Sequence, residues 1–143
     1  MTVASILKSK GDRVIAVAPS DSIASVVAVL IRDGVGAALV RGAEGRVVGV
    51  VSERDVVRGL NKHGKELLAI PAEQLMTRDV VFCAPGDTIP DVMQLMTERR
   101  FRHLPVLDHG RLVGLISIGD VVKWRIAEAE LETESLRQYI ATG

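Results

Sequence analysis

Apolar residues recur along the chain in two rhythms, and each rhythm appears twice. Short β-branched runs, Val14 to Val17 and Val80 to Cys83, lead into Ala-Pro and predict strands that stop there, because the residue before a proline is held out of the helical region. Ser22 and Thr88 then stand as caps for helices with apolar positions at helical spacing: Ile23, Val26, Val27 and Leu30 in one, Ile89, Val92, Met93 and Met96 in the other. Pro90 falls in the first turn, where its missing amide would have been unpaired anyway. Denser apolar runs predict buried strands at Ala37 to Arg41, Val47 to Val51, Leu104 to Leu107 and Leu112 to Ile116. The turn-rich loops Gly42 to Gly45 and Asp108 to Gly110 are short enough to pair them as hairpins. Second helices are expected over Asp55 to Asn61 and from Asp120 onward.

The doubling is a sequence repeat. Ala18-Pro19-Ser20-Asp21-Ser22-Ile23 aligns with Ala84-Pro85-Gly86-Asp87-Thr88-Ile89, and Gly45-Arg46-Val47-Val48-Gly49-Val50-Val51-Ser52 aligns with Gly110-Arg111-Leu112-Val113-Gly114-Leu115-Ile116-Ser117. Val3 to Lys8 resembles Ala72 to Thr77. The chain therefore divides into a first copy, 1–62, a second copy, 63–127, and an extension, 128–143. The second copy opens on a linker, His63 to Pro71. Each copy reads as a β-α-β-β-α unit of an α/β fold, a three-stranded sheet with two helices. Such a sheet is too small to cover its own apolar face, so the copies are expected to pack together. Past Val122 the side chains Ile126, Ala129, Leu136 and Ile140 continue a helical stripe among Glu128, Glu130, Glu132 and Glu134. That stripe can cover the other copy or a second chain. A heptad-like seam favours the second chain, and hence a homodimer.

Composition narrows the class. Of 143 residues, 48% are hydrophobic and only 3% aromatic, which describes a globular protein with a Val, Ile, Leu and Ala core. A chain of this size buries about 70% of its unfolded surface and needs no staple. Cys83 is the sole cysteine, so no internal disulfide exists and a reducing compartment is expected. Eighteen Lys and Arg balance eighteen Asp and Glu, leaving no global field for nucleic acid or a charged membrane. The longest apolar run, Val26 to Ile31, is far short of the ~20 residues a spanning helix needs, and Met1 to Asp12 contains no signal-peptide core. A cytoplasmic protein that binds neither membrane nor nucleic acid is the expectation.

Catalytic chemistry finds little support. His63, His103 and His109 form no i, i+4 pair and have no Cys-x-x-Cys companion for zinc, and Cys83 reads as a small buried hydrophobe. No Walker lysine loop is present. Gly34-Val35-Gly36 half resembles a dinucleotide loop but follows a helix instead of a strand, and reads as a helix stop. Neither an enzyme nor a required cofactor is expected.

One polar motif recurs: Ser-x-x-Asp at the end of the last strand, Ser52 to Asp55 and Ser117 to Asp120. Taken alone it is a capping box, stabilising the helix start by about 1 kcal/mol. The same hydroxyl, carboxylate and free amides also make a compact polar cluster, and a carboxylate can accept both hydroxyls of a ribose diol. Phosphates would then seek cations and amide dipoles. Here the copies differ, since Gly34-Val35-Gly36-Ala37 in the first is replaced by Arg100-Phe101-Arg102-His103 in the second, after Arg99. Arg99 and Arg100 read as a solvated helix end. Arg102 and His103, leading straight into the strand, are candidates for phosphate, as is Arg54 inside the first motif.

Two such units, each with an Ala-Pro entry, a Gly-Arg-(Val/Leu)-Val-Gly hairpin and a closing Ser-x-x-Asp, resemble tandem cystathionine-beta-synthase (CBS) domains, the Bateman module. Phe101-Arg102-His103-Leu104-Pro105-Val106 and Ser52-Glu53-Arg54-Asp55 resemble segments of small stand-alone bacterial members. The resemblance implies a pseudo-twofold with two clefts between repeats, often a disc-shaped homodimer, and a regulatory role in sensing AMP, ADP, ATP, NAD(H) or, less favoured, S-adenosylmethionine. It maps the ribose aspartate onto Asp55 and Asp120 and the strand-end hydroxyl onto Ser52 and Ser117. Adenine would then lie against Ile15, Val81 and Cys83. The alternative is a ligand-free dimerisation scaffold in which the motif only caps helices, and the protein that reads any signal is not specified by the sequence.

Overall fold

The computed structural model describes residues 1–11 and 13–142. The chain folds as two compact units, and their boundaries cut across the sequence copies: one unit is Val14–Val80, the other joins Met1–Arg13 to Val81–Gly143.

The Val14–Val80 unit runs β1 (Ala16–Val17), α2 (Ile23–Asp33), β2 (Ala37–Arg41), β3 (Val47–Ser52), α3 (Glu53–His63), a 3-10 stretch at Gly64–Ala69 and the short α4 (Ala72–Leu75). Its sheet has the order β1-β2-β3, with β1 parallel to β2 and the β2–β3 hairpin antiparallel. Ser22 caps α2 by accepting from the Ser25 amide, and Gly34 ends that helix in the left-handed region at φ 63, giving its N–H to the Leu30 and Ile31 carbonyls. The glycine is a helix stop, as its position predicts. Val17, Ile23, Val26, Leu30, Ala38, Val40 and Val51 form the core with Leu67, Ala72 and Met76.

The other unit begins with α1 (Val3–Lys10) and continues from Cys83 through α5 (Ile89–Arg99), β4 (His103–Asp108), β5 (Arg111–Ser117) and the long α6 (Ile118–Thr142). Thr88 caps α5 through the Asp91 amide, and Pro90 sits in the first turn without cost. Val3 and Ile6 of α1 pack with Ile89, Val92, Met96, Leu104, Val106, Ile116 and Val121.

Here the expected three-stranded sheet is not complete. The run Val80 to Cys83 pairs only as an isolated parallel bridge, Cys83 to Val106, beside a two-stranded β4–β5 sheet. Proline explains the loss. In the first unit Leu39 donates its amide to the Ile15 carbonyl, and Pro105, which occupies the place of Leu39, has no N–H to give to Val81. The strand expected over Val14 to Val17 is likewise shortened to Ala16–Val17.

The two leading helices are each placed on a hairpin by a glycine notch. A Cβ at Gly114 of β5 would lie 2.5 Å from Cδ2 of Leu7, so α1 can approach only because no side chain is there. A Cβ at Gly49 of β3 would lie 2.5 Å from Sδ of Met76 and 2.9 Å from the Thr77 carbonyl. Thus the segment that opens the first copy, α1, lies in the unit of the second copy's hairpin. The matching segment of the second copy, α4 and Thr77, lies against the first copy's hairpin.

Candidate functional site

Both Ser-x-x-Asp motifs form at the junction of a strand end and a helix start. At α3 the Ser52 N–H and Oγ–H both donate to Oδ2 of Asp55, at 2.9 and 3.0 Å, while the Asp55 amide donates to Ser52 Oγ at 3.3 Å. At α6 the geometry repeats with Ser117 and Asp120, at 2.9, 3.0 and 3.2 Å. The capping function of the motif is therefore a property of both corners.

The two aspartates differ in what else they hold. Asp55 is 8% exposed, and its Oδ1 accepts from Thr77 Oγ1 at 3.2 Å, so both oxygens are engaged. Asp120 is more open, and its Oδ2 also receives the Lys10 ammonium at 2.8 Å. Among the described residues its Oδ1 takes no hydrogen bond. Lys10 donates as well to the Leu115 carbonyl at 2.9 Å. Burial pushes the Asp120 carboxyl up, but hydrogen bonds from Lys10 and Ser117 and the ammonium charge outweigh it and hold the group below its ordinary value. The site thus presents an ionised carboxylate with one oxygen anchored and one available.

Neither Thr77 nor Lys10 stands out in the sequence. Thr77 has one signal, its place at the end of the segment Ala72–Thr77 that repeats Val3–Lys8, which does not say which aspartate it meets; Lys10 lies just past that repeated segment and has none.

Arg102 and His103 lie at the Asp120 corner. His103 pairs in register with Ser117, and the Arg102 carbonyl accepts from the Ile118 amide at 2.8 Å, so both residues border the start of α6. Arg102 is exposed and His103 half-buried. At the Asp55 corner the equivalent backbone is Gly36 and Ala37, with Gly36 accepting from Glu53, so no cation is supplied from that strand. Arg54 is exposed on the first turn of α3. Arg100 ends α5 at φ 58, the left-handed position that Gly34 fills in the other copy.

Ile15 and Val81 are half-buried against the cores of their own units, and Cys83 is buried. The Cys83 thiol donates to the Pro105 carbonyl at 3.9 Å, and burial, with the Asp87 charge adding to it, pushes its pKa up to about 12. It is a neutral, buried side chain at physiological pH. No cluster of three or more metal-ligating side chains occurs among the described residues, and no helix is long and apolar enough to cross a membrane.

Two α/β units, each closing a hairpin on a serine-aspartate helix start, define a tandem-repeat module. The CBS domain profile matches residues 3–62 and 72–127, and the chain belongs to the CBS-domain family. It is similar to the CBS-domain protein ATU1752 of Agrobacterium tumefaciens, at 41% identity and a TM-score of 0.84, over 87% of this chain and 92% of that one. It also resembles the CBS domain protein PAE2072 of Pyrobaculum aerophilum complexed with AMP, at 26% identity and a TM-score of 0.78, over 93% and 99% of the two chains. The CBS domain pair of protein MJ0100, in complex with 5'-methylthioadenosine and S-adenosylmethionine, shares the fold at 22% identity and a TM-score of 0.77, over 90% and 98%.

Proposed function

We propose that this protein is a non-catalytic regulatory sensor of an adenosine-containing ligand, AMP, ADP, ATP or NAD(H), with S-adenosylmethionine less favoured, and that the Asp120 corner is its principal site. The observation that carries the reading is the available Oδ1 of an Asp120 carboxylate whose other oxygen is fixed by Ser117 and Lys10. A ribose diol supplies the two adjacent donors that such an oxygen and the neighbouring Ser117 hydroxyl can take. Arg102 and His103 border the same corner and supply cationic donors for phosphate. Val81, half-buried beside the buried Cys83, offers an apolar surface to the base, and the likeness to an AMP-bound relative agrees with this ligand class. The Asp55 corner, with Ser52, Arg54 and Ile15, is a second and weaker site, because Thr77 already holds the oxygen that a ligand would need. Bound ligand biases the conformational equilibrium of the chain, the signal that a partner protein reads.

A ligand-free scaffold is the competing reading, favoured by the complete capping boxes at both corners. Thermal unfolding with AMP, ATP, NADH and S-adenosylmethionine separates the two. At a hundredfold excess over its dissociation constant, a ligand should add about 2.7 kcal/mol and raise Tm by about 8 °C. The shift should vanish in Asp120→Asn and survive in Asp55→Asn. If none of the four ligands moves the wild-type Tm, the scaffold reading stands instead; if Asp55→Asn alone loses the shift, the principal site is misplaced.

A further inference from the structure

We propose that the C-terminal part of α6 is an interface with a second copy of this chain, paired as a parallel two-stranded coiled coil. Val122, Ile126, Ala129, Thr133, Leu136 and Ile140 are separated alternately by four and three residues, the a/d spacing of a heptad seam. The seam is open to solvent: Val122 is 42% exposed, Ile126 54%, Leu136 60% and Ile140 70%. It is not the face by which α6 packs at home. That face carries buried Val121, Trp124 against the core and Glu128, whose carboxylate lies 3.4 Å from the Met1 amine. At about 100° per residue the seam is turned roughly a third of a turn away from it. Thr133, on the seam, satisfies its hydroxyl by donating to the Ala129 carbonyl at 2.9 Å.

Charge selects the partner and its direction. Arg125 and Glu132 flank one side of the seam at g positions, and Lys123, Glu130 and Arg137 flank the other at e positions. In a parallel pair each g residue faces the e residue five further on in the other helix. Arg125 then meets the partner's Glu130, and Glu132 meets the partner's Arg137. By the twofold both contacts occur twice, and all four are attractive. The antiparallel alignment that stacks Ile126 on Leu136 and Val122 on Ile140 instead sets Glu130 against Glu130, Glu132 against Glu132, and Lys123 against Arg137. Every one of those contacts is repulsive. Within one chain Arg125 is only loosely engaged, 3.7 Å from Glu128 and 3.9 Å from Glu132, so it can reach across.

Disulfide trapping in the full-length chain tests the arrangement. Ile140→Cys places the new thiol on the seam, Ser135→Cys places one on the outer face, and buried Cys83 stays silent with its thiol pushed up to about 12. At about 10 μM chain, pairing raises the effective concentration of facing thiols to about 1 mM, so Ile140→Cys should form its covalent dimer about a hundredfold faster than Ser135→Cys. Adding Glu132→Arg to the Ile140→Cys chain should slow trapping roughly tenfold, and adding Arg137→Glu to both should restore it. Equal rates for Ile140→Cys and Ser135→Cys would assign the seam to some other occupant and overturn the proposal. Trapping only in a mixture of Val122→Cys with Ile140→Cys would overturn it in favour of the antiparallel pair, and failure of the charge-restored chain to recover would remove the basis for orientation.

Discussion

Replacing Gly49 by alanine measures how tightly the leading segment of the second copy is seated on the first copy's hairpin. The added methyl would lie 2.5 Å from Met76 Sδ, 2.8 Å from Met76 Cγ and 2.9 Å from the Thr77 carbonyl oxygen. Ordinary contact is about 3.5–4.0 Å, so roughly 1 Å must be found. Met76 can turn aside, but the Thr77 carbonyl is backbone, tied by the Val50 amide donating to it at 3.0 Å and by the Thr77 amide donating to Val50 at 2.8 Å. Moving it strains or breaks this two-bond bridge and pulls on the Thr77 hydroxyl that satisfies Asp55. Overpacking costs about 1–3 kcal/mol and each lost hydrogen bond about 1 kcal/mol, while the stiffer unfolded chain returns about 0.4–1 kcal/mol. A net loss of about 3 kcal/mol follows, or about 10 °C in Tm. Gly114→Ala is the control. The three atoms nearest its methyl are all of the Leu7 side chain, whose branched end can rotate, so the loss there should be about 1 kcal/mol. Urea unfolding followed by far-ultraviolet circular dichroism, with the slope unchanged among variants, gives both values. A Gly114→Ala protein destabilised as much as Gly49→Ala, or a Gly49→Ala protein as stable as wild type, refutes the reasoning.

Two further outcomes are expected. Lys10→Met removes the ammonium that holds the Asp120 carboxyl low; because a lowered carboxyl stabilises the fold above its unfolded value of about 3.9 and ceases to as pH falls through the folded value, the variant should lose about 1 kcal/mol at pH 7. The deficit should close as pH falls through the lowered Asp120 value, and a deficit that does not change with pH would show that the ion pair is not its source. Cys83, with a thiol raised to about 12, should react with a thiol reagent at pH 8 at least about a hundredfold more slowly in the folded chain than in urea. The same raised value makes its contribution to stability full below about pH 8.5 and progressively lost above it, and fast labelling of the native protein would contradict its burial.

Much of the local structure is written in local chemistry. Ser22 and Thr88 as caps, Pro90 in a first turn, Gly34 as a stop and the two hairpins follow from residues that act within a few positions of themselves. The reduced first strand of the second copy was legible in principle, since Pro105 cannot donate where Leu39 does, but it requires knowing which residues face each other. The Ser-x-x-Asp corners were visible as a motif, whereas the difference between them was not. Thr77 and Lys10, more than twenty and a hundred residues from their aspartates, decide which carboxylate keeps an available oxygen.

By itself the sequence determined that one α/β unit is present twice, which caps and turns start its helices and hairpins, and which polar residues close each copy. Only the tertiary structure decided that each copy's leading segment lies with the hairpin of the other. The repeats carry equivalent glycine notches, Gly49 and Gly114, and apolar plugs, Met76 and Leu7, so pattern alone cannot distinguish one pairing from the other. The choice follows from long-range packing, and it places Lys10 on Asp120 and Thr77 on Asp55.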